Sequence, residues 1–242
     1  MADYGGLLSD ASGRRFARVD GGDSYHYWGR VDTGQLSPSW TTVPLFGIPT
    51  SVPIIVFIFC NYGGNEDWRS RYGKAEVRQI DGQWKARAFR TNAGDVQPSF
   101  QSAFFYVFVP ARYIQADKYG MQCFRADGVK VFDSARPLLQ VCGLGNGGVL
   151  TTGGSTFFNR TPTKCAAPYC SSSSAQYIVV GGAPYWAVVH YHGTVTTGNL
   201  AGFTGMIAYL DTGGTNPGST TFSNIPLIDA GYYDQFTNLG TF

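Results

Sequence analysis

AEVRQIDGQWKARAF, residues 75–89, turns at Asp81-Gly82 and alternates on either side of it. Folding the two arms together sets Val77 against Ala86 and Gln79 against Trp84 on one face. Glu76 then meets Arg87 on the other. A period of two marks a strand, and Asp-Gly between two such runs marks a hairpin. The pattern is that of an antiparallel sheet with one wet face. A second signal lies just upstream. Val52-Pro-Ile-Ile-Val-Phe-Ile-Phe-Cys60 is a short β-branched and aromatic run, which predicts a strand buried on both faces. At nine residues, with Pro53 inside it, the run cannot cross a bilayer as a helix.

Two further stretches match each other. DYGGLLSDASGRRFA (3–17) and KYGMQCFRADGVKVF (118–132) align without a gap at an offset of 115 residues. Tyr4 meets Tyr119, Gly5 meets Gly120, Ala11 meets Ala126 and Gly13 meets Gly128. Each copy predicts a hairpin. In the second, a two-residue Asp127-Gly128 loop of type I′ pairs Ala126 with Val129, Arg125 with Lys130 and Phe124 with Val131. One face is then apolar: Phe124, Ala126, Val129 and Val131. In the first, Ser12-Gly13 takes the turn and Asp10 faces Arg15. Both halves also carry a late apolar strand, FFYVFVPA at 104–111 and GMIAYLDTG at 205–213. The expected fold is therefore all-β, with two related β-sandwich or small-barrel modules in tandem, closely packed. They would occupy residues 1–115 and 116–242, with the boundary near 113–117. Loops are expected at 143–148, at 151–174 and at 211–223, with room for a short helix in a loop.

Composition supports strands over helices. The chain has 242 residues, 43% hydrophobic and 15% aromatic, with only two glutamates, Glu66 and Glu76. That suffices for a packed core and is poor in helix formers. The net charge of +2 is dispersed, which disfavours nucleic acid as a partner. Met1-Ala-Asp-Tyr-Gly-Gly6 lacks a basic and an apolar region, so no secretory signal is expected. Free thiols are then the expectation for Cys60, Cys123, Cys142, Cys165 and Cys170. The alternative for Cys165 and Cys170, which flank Ala-Ala-Pro-Tyr, is a disulfide or a metal.

The motifs that suggest chemistry fall short of it. Gly143, Gly145 and Gly148 match G-x-G-x-x-G, but Val149-Leu-Thr-Thr-Gly-Gly cannot propagate the helix a dinucleotide fold needs. His190 and His192 would share a strand face and could ligate a metal together, yet His26 is the only other histidine. No G-x-S-x-G occurs, and three histidines leave a Ser-His-Asp triad undecided. Among Asp20, Asp23, Asp67, Asp95 and Asp211 nothing singles out a catalytic pair. No catalytic residue, cofactor or metal is therefore assigned. The aromatics are the stronger candidates. Tyr25, Tyr27, Trp28, Trp40, Trp68, Tyr232 and Tyr233 lie near turn-rich sequence, where exposed rings serve interfaces or stack on sugars. Trp84 and Trp186 are expected in the core.

Tyr119-Gly120, Asp127-Gly128 and Phe132-Asp133-Ser134 together resemble the opening module of tail-tip and baseplate-associated proteins of siphovirus-type bacteriophages. The start MADYGGLL and Val195–Gly198 are similar to the same proteins. The fuller match covers roughly 117–242; in the first half Phe16-Ala17-Arg18 stands in place of Phe-Asp-Ser. The resemblance implies a non-enzymatic virion component, assembled in the host cytoplasm around the tail axis. It would be a homo-oligomer, trimer or hexamer, bound to other phage tail proteins. An alternative is a carbohydrate- or receptor-binding attachment module that contacts a host surface glycan. A hydrolase acting on cell-wall or capsular polymer is the third reading, disfavoured by the shortage of acid–base pairs.

Overall fold

The computed structural model of the chain describes residues 6–9, 15–19, 23–61, 73–90, 101–115, 120–145, 155–159, 164–168, 172–180, 183–195, 200–211 and 225–242. The fold is all-β. The strands up to residue 110 are β1 (Gly6–Ser9), β2 (Arg15–Val19), β3 (Tyr25–Asp32), β4 (Thr41–Pro49), β5 (Ile55–Asn61), β6 (Gly73–Ile80), β7 (Gln83–Arg90) and β8 (Ser102–Pro110). After a 3-10 turn at Ala111–Tyr113 come β9 (Gln122–Phe124), β10 (Lys130–Asp133), β11 (Gly143–Gly145), β12 (Ser155–Asn159), β13 (Cys165–Pro168), β14 (Ser172–Val180), β15 (Ala183–Val195), β16 (Leu200–Asp211) and β17 (Ile225–Asp229). A four-residue helix, α1 (Ala230–Tyr233), follows. Every pairing among these strands is antiparallel. Two expected loops hold strands instead. The glycine-rich stretch at 143–148 begins as β11, paired to β17, and 151–174 contains β12, β13 and the start of β14. Pairing to strands already in place outweighs the loop-like composition of these segments.

Two Asp-Gly dipeptides give different turns. At Asp81-Gly82 both residues have positive φ, 53° and 73°, and Ile80 pairs with Gln83. This is a two-residue hairpin of the primed type, and every pair read from the alternation is present: Val77 with Ala86, Gln79 with Trp84, Glu76 with Arg87. At 125–129 the expected two-residue turn is replaced by a three-residue loop. The Gly128 amide donates to Arg125 O and the Arg125 amide to Val129 O, with Gly128 alone at φ 82°. This is a type I turn closed by a left-handed glycine. The added residue shifts the register, so Phe124 pairs with Lys130 rather than with Val131. The predicted apolar face is thereby split: Val131 and Phe132 are buried while Phe124 is exposed. In the first copy Leu8 pairs with Ala17, as the Ser12-Gly13 turn requires. A register shift then sets Arg15 opposite Ser9 rather than Asp10. Ser12, Gly13 and Asp10 lie outside the described residues.

The central sheet has the order β11-β17-β13-β5-β8-β3. It joins three strands from each side of residue 115, so the division into 1–115 and 116–242 does not coincide with a boundary between sheets. Its middle is buried on both faces. Ala103, Phe105, Val107 and Val109 of β8 join Val56 and Ile58 of β5 in one core, against Leu45, Ile48, Ala75, Ala86 and Ala88 from β4-β7-β6. The alternate residues Tyr106, Phe108 and Phe57 face a second core with Tyr27, Ala166, Ile228, Ala230 and Tyr233. The expectation for Val52–Cys60 is met from Ile55 onward, where β5 begins, while residues 52–54 lead into it outside the strand; a strand covered on both sides reads as continuous apolar sequence.

The outer edge of β3 is covered along its length. Ser24 N donates to Val131 O, Tyr27 N to Pro137 O, and Leu139 N to Tyr25 O. Further along, Leu239 N donates to Trp28 O and Arg30 N to Asn238 Oδ1. The hairpin of the second repeat and the last residues of the chain thus protect an edge that would otherwise be open to pairing.

Candidate functional site

Among the described residues, three polar side chains from three separate segments gather on Asp234, just after α1. Its Oδ1 accepts Arg30 Nη1 at 2.5 Å and the Tyr106 hydroxyl at 2.9 Å, and its Oδ2 accepts Lys164 Nζ. The sheet supplies the frame. Phe59 pairs with Phe104 across β5 and β8, and Tyr106 pairs with Arg30 across β8 and β3. Period-two alternation puts these side chains on one face. Lys164 enters from the flank just before β13, its carbonyl fixed by the Ala230 amide. Its ammonium lies 4.8, 5.2 and 6.0 Å from the ring centroids of Phe59, Phe104 and Tyr106. The Arg30 guanidinium lies 5.0 Å from that of Phe104. Burial works against ionising Asp234, but hydrogen bonds from Lys164, Tyr106 and Arg30 outweigh it and hold its pKa below the usual 3.8. Burial first, then the Asp234 charge, pushes the Tyr106 phenol well above its ordinary value. Tyr106 therefore stays protonated and serves as a donor. The arrangement can hold cations against rings.

His26 forms the second cluster. The ring is fully buried, with Nε2 2.9 Å from Ser24 Oγ and Nδ1 3.1 Å from Arg136 O. A carbonyl only accepts, so Nδ1 carries a proton. Ser24 Oγ also lies within hydrogen-bond reach of Val131 O, which competes with Nε2 for its single hydroxyl proton, and the Phe132 ring meets the imidazole edge-on at 5.7 Å. The serine–histidine spacing is that of a nucleophile and base. However, the group orienting Nδ1 is a backbone carbonyl, and the ring is sealed from solvent. The cluster stitches β3 to residues 131–136. Burial lowers the His26 pKa below 6.5, against smaller raising contributions from the Arg136 carbonyl and Asp133; Lys130 adds to the lowering. The unfolded chain then binds the proton first. Stability from a neutral His26 is full above about pH 6.5 and falls as pH drops through the window below it. Thermal melts between pH 7.5 and 5 are expected to show this loss, and His26→Gln to flatten it. An unchanged slope in the variant rules the coupling out.

The aromatic candidates separate by burial. Tyr27 and Tyr233 are fully buried and Trp28 is 6% exposed, so these three are core side chains and leave the contact set. Burial pushes the Tyr27 phenol up to about 12. The Tyr233 hydroxyl donates to Leu138 O and accepts from Gln140 N. Trp28 donates to Gly240 O and packs on Phe242 at 5.1 Å. Tyr25 and Tyr232 are half-buried at the margin of the second core. Trp40 is 39% exposed, with the Arg87 guanidinium 4.2 Å from its centroid and Phe89 edge-on at 4.4 Å. Trp68 and Cys170 lie outside the described residues. Trp84 is half-buried against the first core, as expected, and donates to Val52 O; Trp186 lies on β15. His190 and His192 both lie on β15, and Cys165 begins β13; nothing is described of their side chains. Cys123 and Cys142 are not joined to each other in a disulfide.

Sequence reading missed the Asp234 cluster. Alternation in FFYVFVP does put Phe104, Tyr106 and Phe108 on one face. Nothing local, however, announces partners such as Asp234 and Tyr106, 128 residues apart. Among the described residues no helix is long and apolar enough to cross a membrane. No protein-family model, curated protein or solved structure matches the chain.

Proposed function

We propose that the chain is a non-enzymatic structural component of a bacteriophage tail tip or baseplate. In this reading it assembles in the host cytoplasm as a symmetric oligomer with other tail proteins and remains in the virion. One observation carries the reading: the described residues of the fuller match, Gly120, Asp127, Gly128, Phe132, Asp133 and Ser134, are spent on folding. Gly120 has φ 152°, and a Cβ there would meet Ser134 Oγ at 2.8 Å. Asp127 Oδ1 accepts the Val129 amide at 3.1 Å, and Gly128 closes the turn. Phe132 is buried against His26, Asp133 is buried within a hydrogen-bond network, and Ser134 Oγ accepts the Met121 amide at 2.7 Å. A motif used in this way marks a building module, whose stability in an assembly is shared with its neighbours. Light scattering on the purified chain is expected to give a discrete trimer or hexamer, with no turnover of cell-wall or capsular polymer. A monomer that cleaves such polymer overturns the proposal.

The attachment reading is favoured by Trp40, whose exposed ring sits beside Arg87 and Phe89. An aromatic with an adjacent guanidinium suits a sugar ring and its hydroxyls. On this reading Trp40→Ala lowers binding to host surface glycan at least tenfold and leaves the assembly intact. Unchanged binding removes it.

A further inference from the structure

The rings of Phe59, Phe104 and Tyr106 surround a single ammonium, with a carboxylate beside it. Several ring faces and an anion converging on one point are the features that let proteins select organic cations. The occupant is the chain's own Lys164. Its side chain is 29% exposed and reaches the rings on a flexible four-carbon stem. The rest of the site does not depend on it. Asp234 Oδ1 remains held by Arg30 and Tyr106, and the rings are fixed by the register of β5 and β8.

We propose that the floor of Phe59, Phe104 and Tyr106, together with Asp234, is a receptor site for a primary alkylammonium ligand, and that Lys164 is the resident group such a ligand displaces. The exchange trades one ammonium for another, so the charge balance of the site is unchanged and Arg30 keeps its partner. Release of Lys164 also returns rotamer freedom to a long side chain, which lowers the free-energy cost of displacement. A primary ammonium can donate to Asp234 Oδ2 as Lys164 does. The inference is independent of where the protein works.

The test is a titration with n-butylammonium chloride against sodium chloride at matched ionic strength, read by calorimetry and by the aromatic 1H–13C resonances. The wild-type chain is expected to show saturable binding, and Lys164→Ala to bind roughly tenfold more tightly because the resident group is gone. In the Lys164→Ala background, Phe104→Leu keeps the apolar volume but removes a ring, and Asp234→Asn keeps the shape but removes the charge. Each is expected to weaken binding at least fivefold. Saturation in Lys164→Ala alone, with none in the wild type, makes Lys164 a permanent structural ion pair and overturns the proposal. So does binding that is indifferent to Phe104→Leu and Asp234→Asn.

Discussion

Phe108→Ala is expected to destabilise the chain by about 3–5 kcal/mol, the range for deleting a fully buried phenylalanine. Phe108 is a junction. Its ring lies 5.7 Å from Tyr27 on β3, 5.9 Å from Phe57 on β5 and 5.0 Å from Tyr233 on α1. These rings meet in tilted or edge-to-face geometry, which adds to area burial. Truncation opens a cavity that the sheet backbone cannot collapse, because Phe108 is bonded between Ile55 and Tyr27 on neighbouring strands. Against a total stability of about 5–15 kcal/mol the loss would be large. Urea denaturation should show the midpoint falling with little change in slope. Phe124→Ala is the control: Phe124 is 56% exposed, and its truncation should stay within about 0.5 kcal/mol. A Phe108 variant losing less than about 1 kcal/mol would mean that the second core is not packed as described.

The sequence made local features legible and left remote ones hidden. The 75–89 hairpin could be read pair by pair because its register depends on one turn and the alternation beside it. The strand within the Val52–Cys60 run was readable, though not its start at Ile55, because burial on two faces removes polar alternation. The 118–132 hairpin was located but mis-registered. Asp-Gly serves both a two-residue primed turn and the end of a three-residue loop, and the dipeptide does not choose between them. In the structure Lys130 faces Phe124, its ammonium reaching Asp133 and Ile114 O; the two-residue turn would have set it opposite Arg125. The aromatic candidates show the same limit. Tyr25 and Tyr27 share a face by alternation, but only the covering segments at 131–139 and 225–242 decide that Tyr27 is sealed and Tyr25 is not. Strand order mixes residues from both halves, so the Asp234 cluster arises from contacts that no local window contains.

Asp133→Ala is expected to cost about 3–5 kcal/mol, as removal of one partner from a buried ion pair does. Asp133 is 1% exposed and the Lys130 side chain 11%, and they meet at 2.7 Å. Asp133 Oδ2 also accepts Gln122 Nε2 at 3.1 Å, and its Oδ1 accepts the Ala135 amide at 3.0 Å. Removing the carboxylate leaves the Lys130 ammonium with Ile114 O and strands an amide in the loop that covers β3. The damage should therefore spread from the hairpin to the sheet edge. Amide exchange at Ser24 and Tyr27, which donate to Val131 O and Pro137 O, should accelerate more than exchange at Val107 in the sheet interior. The charge pair itself is a separate matter from its loss. Lys130→Met with Asp133→Leu removes both charges together and should recover most of the stability lost in the single variant. Full recovery in the double variant, with edge protection restored, would mean that the pair sets the geometry of the hairpin without adding net stability. A double variant as unstable as Asp133→Ala would place the cost in the Gln122 and Ala135 hydrogen bonds instead. A single variant losing less than about 1 kcal/mol would remove Asp133 as the residue that holds the hairpin against β3.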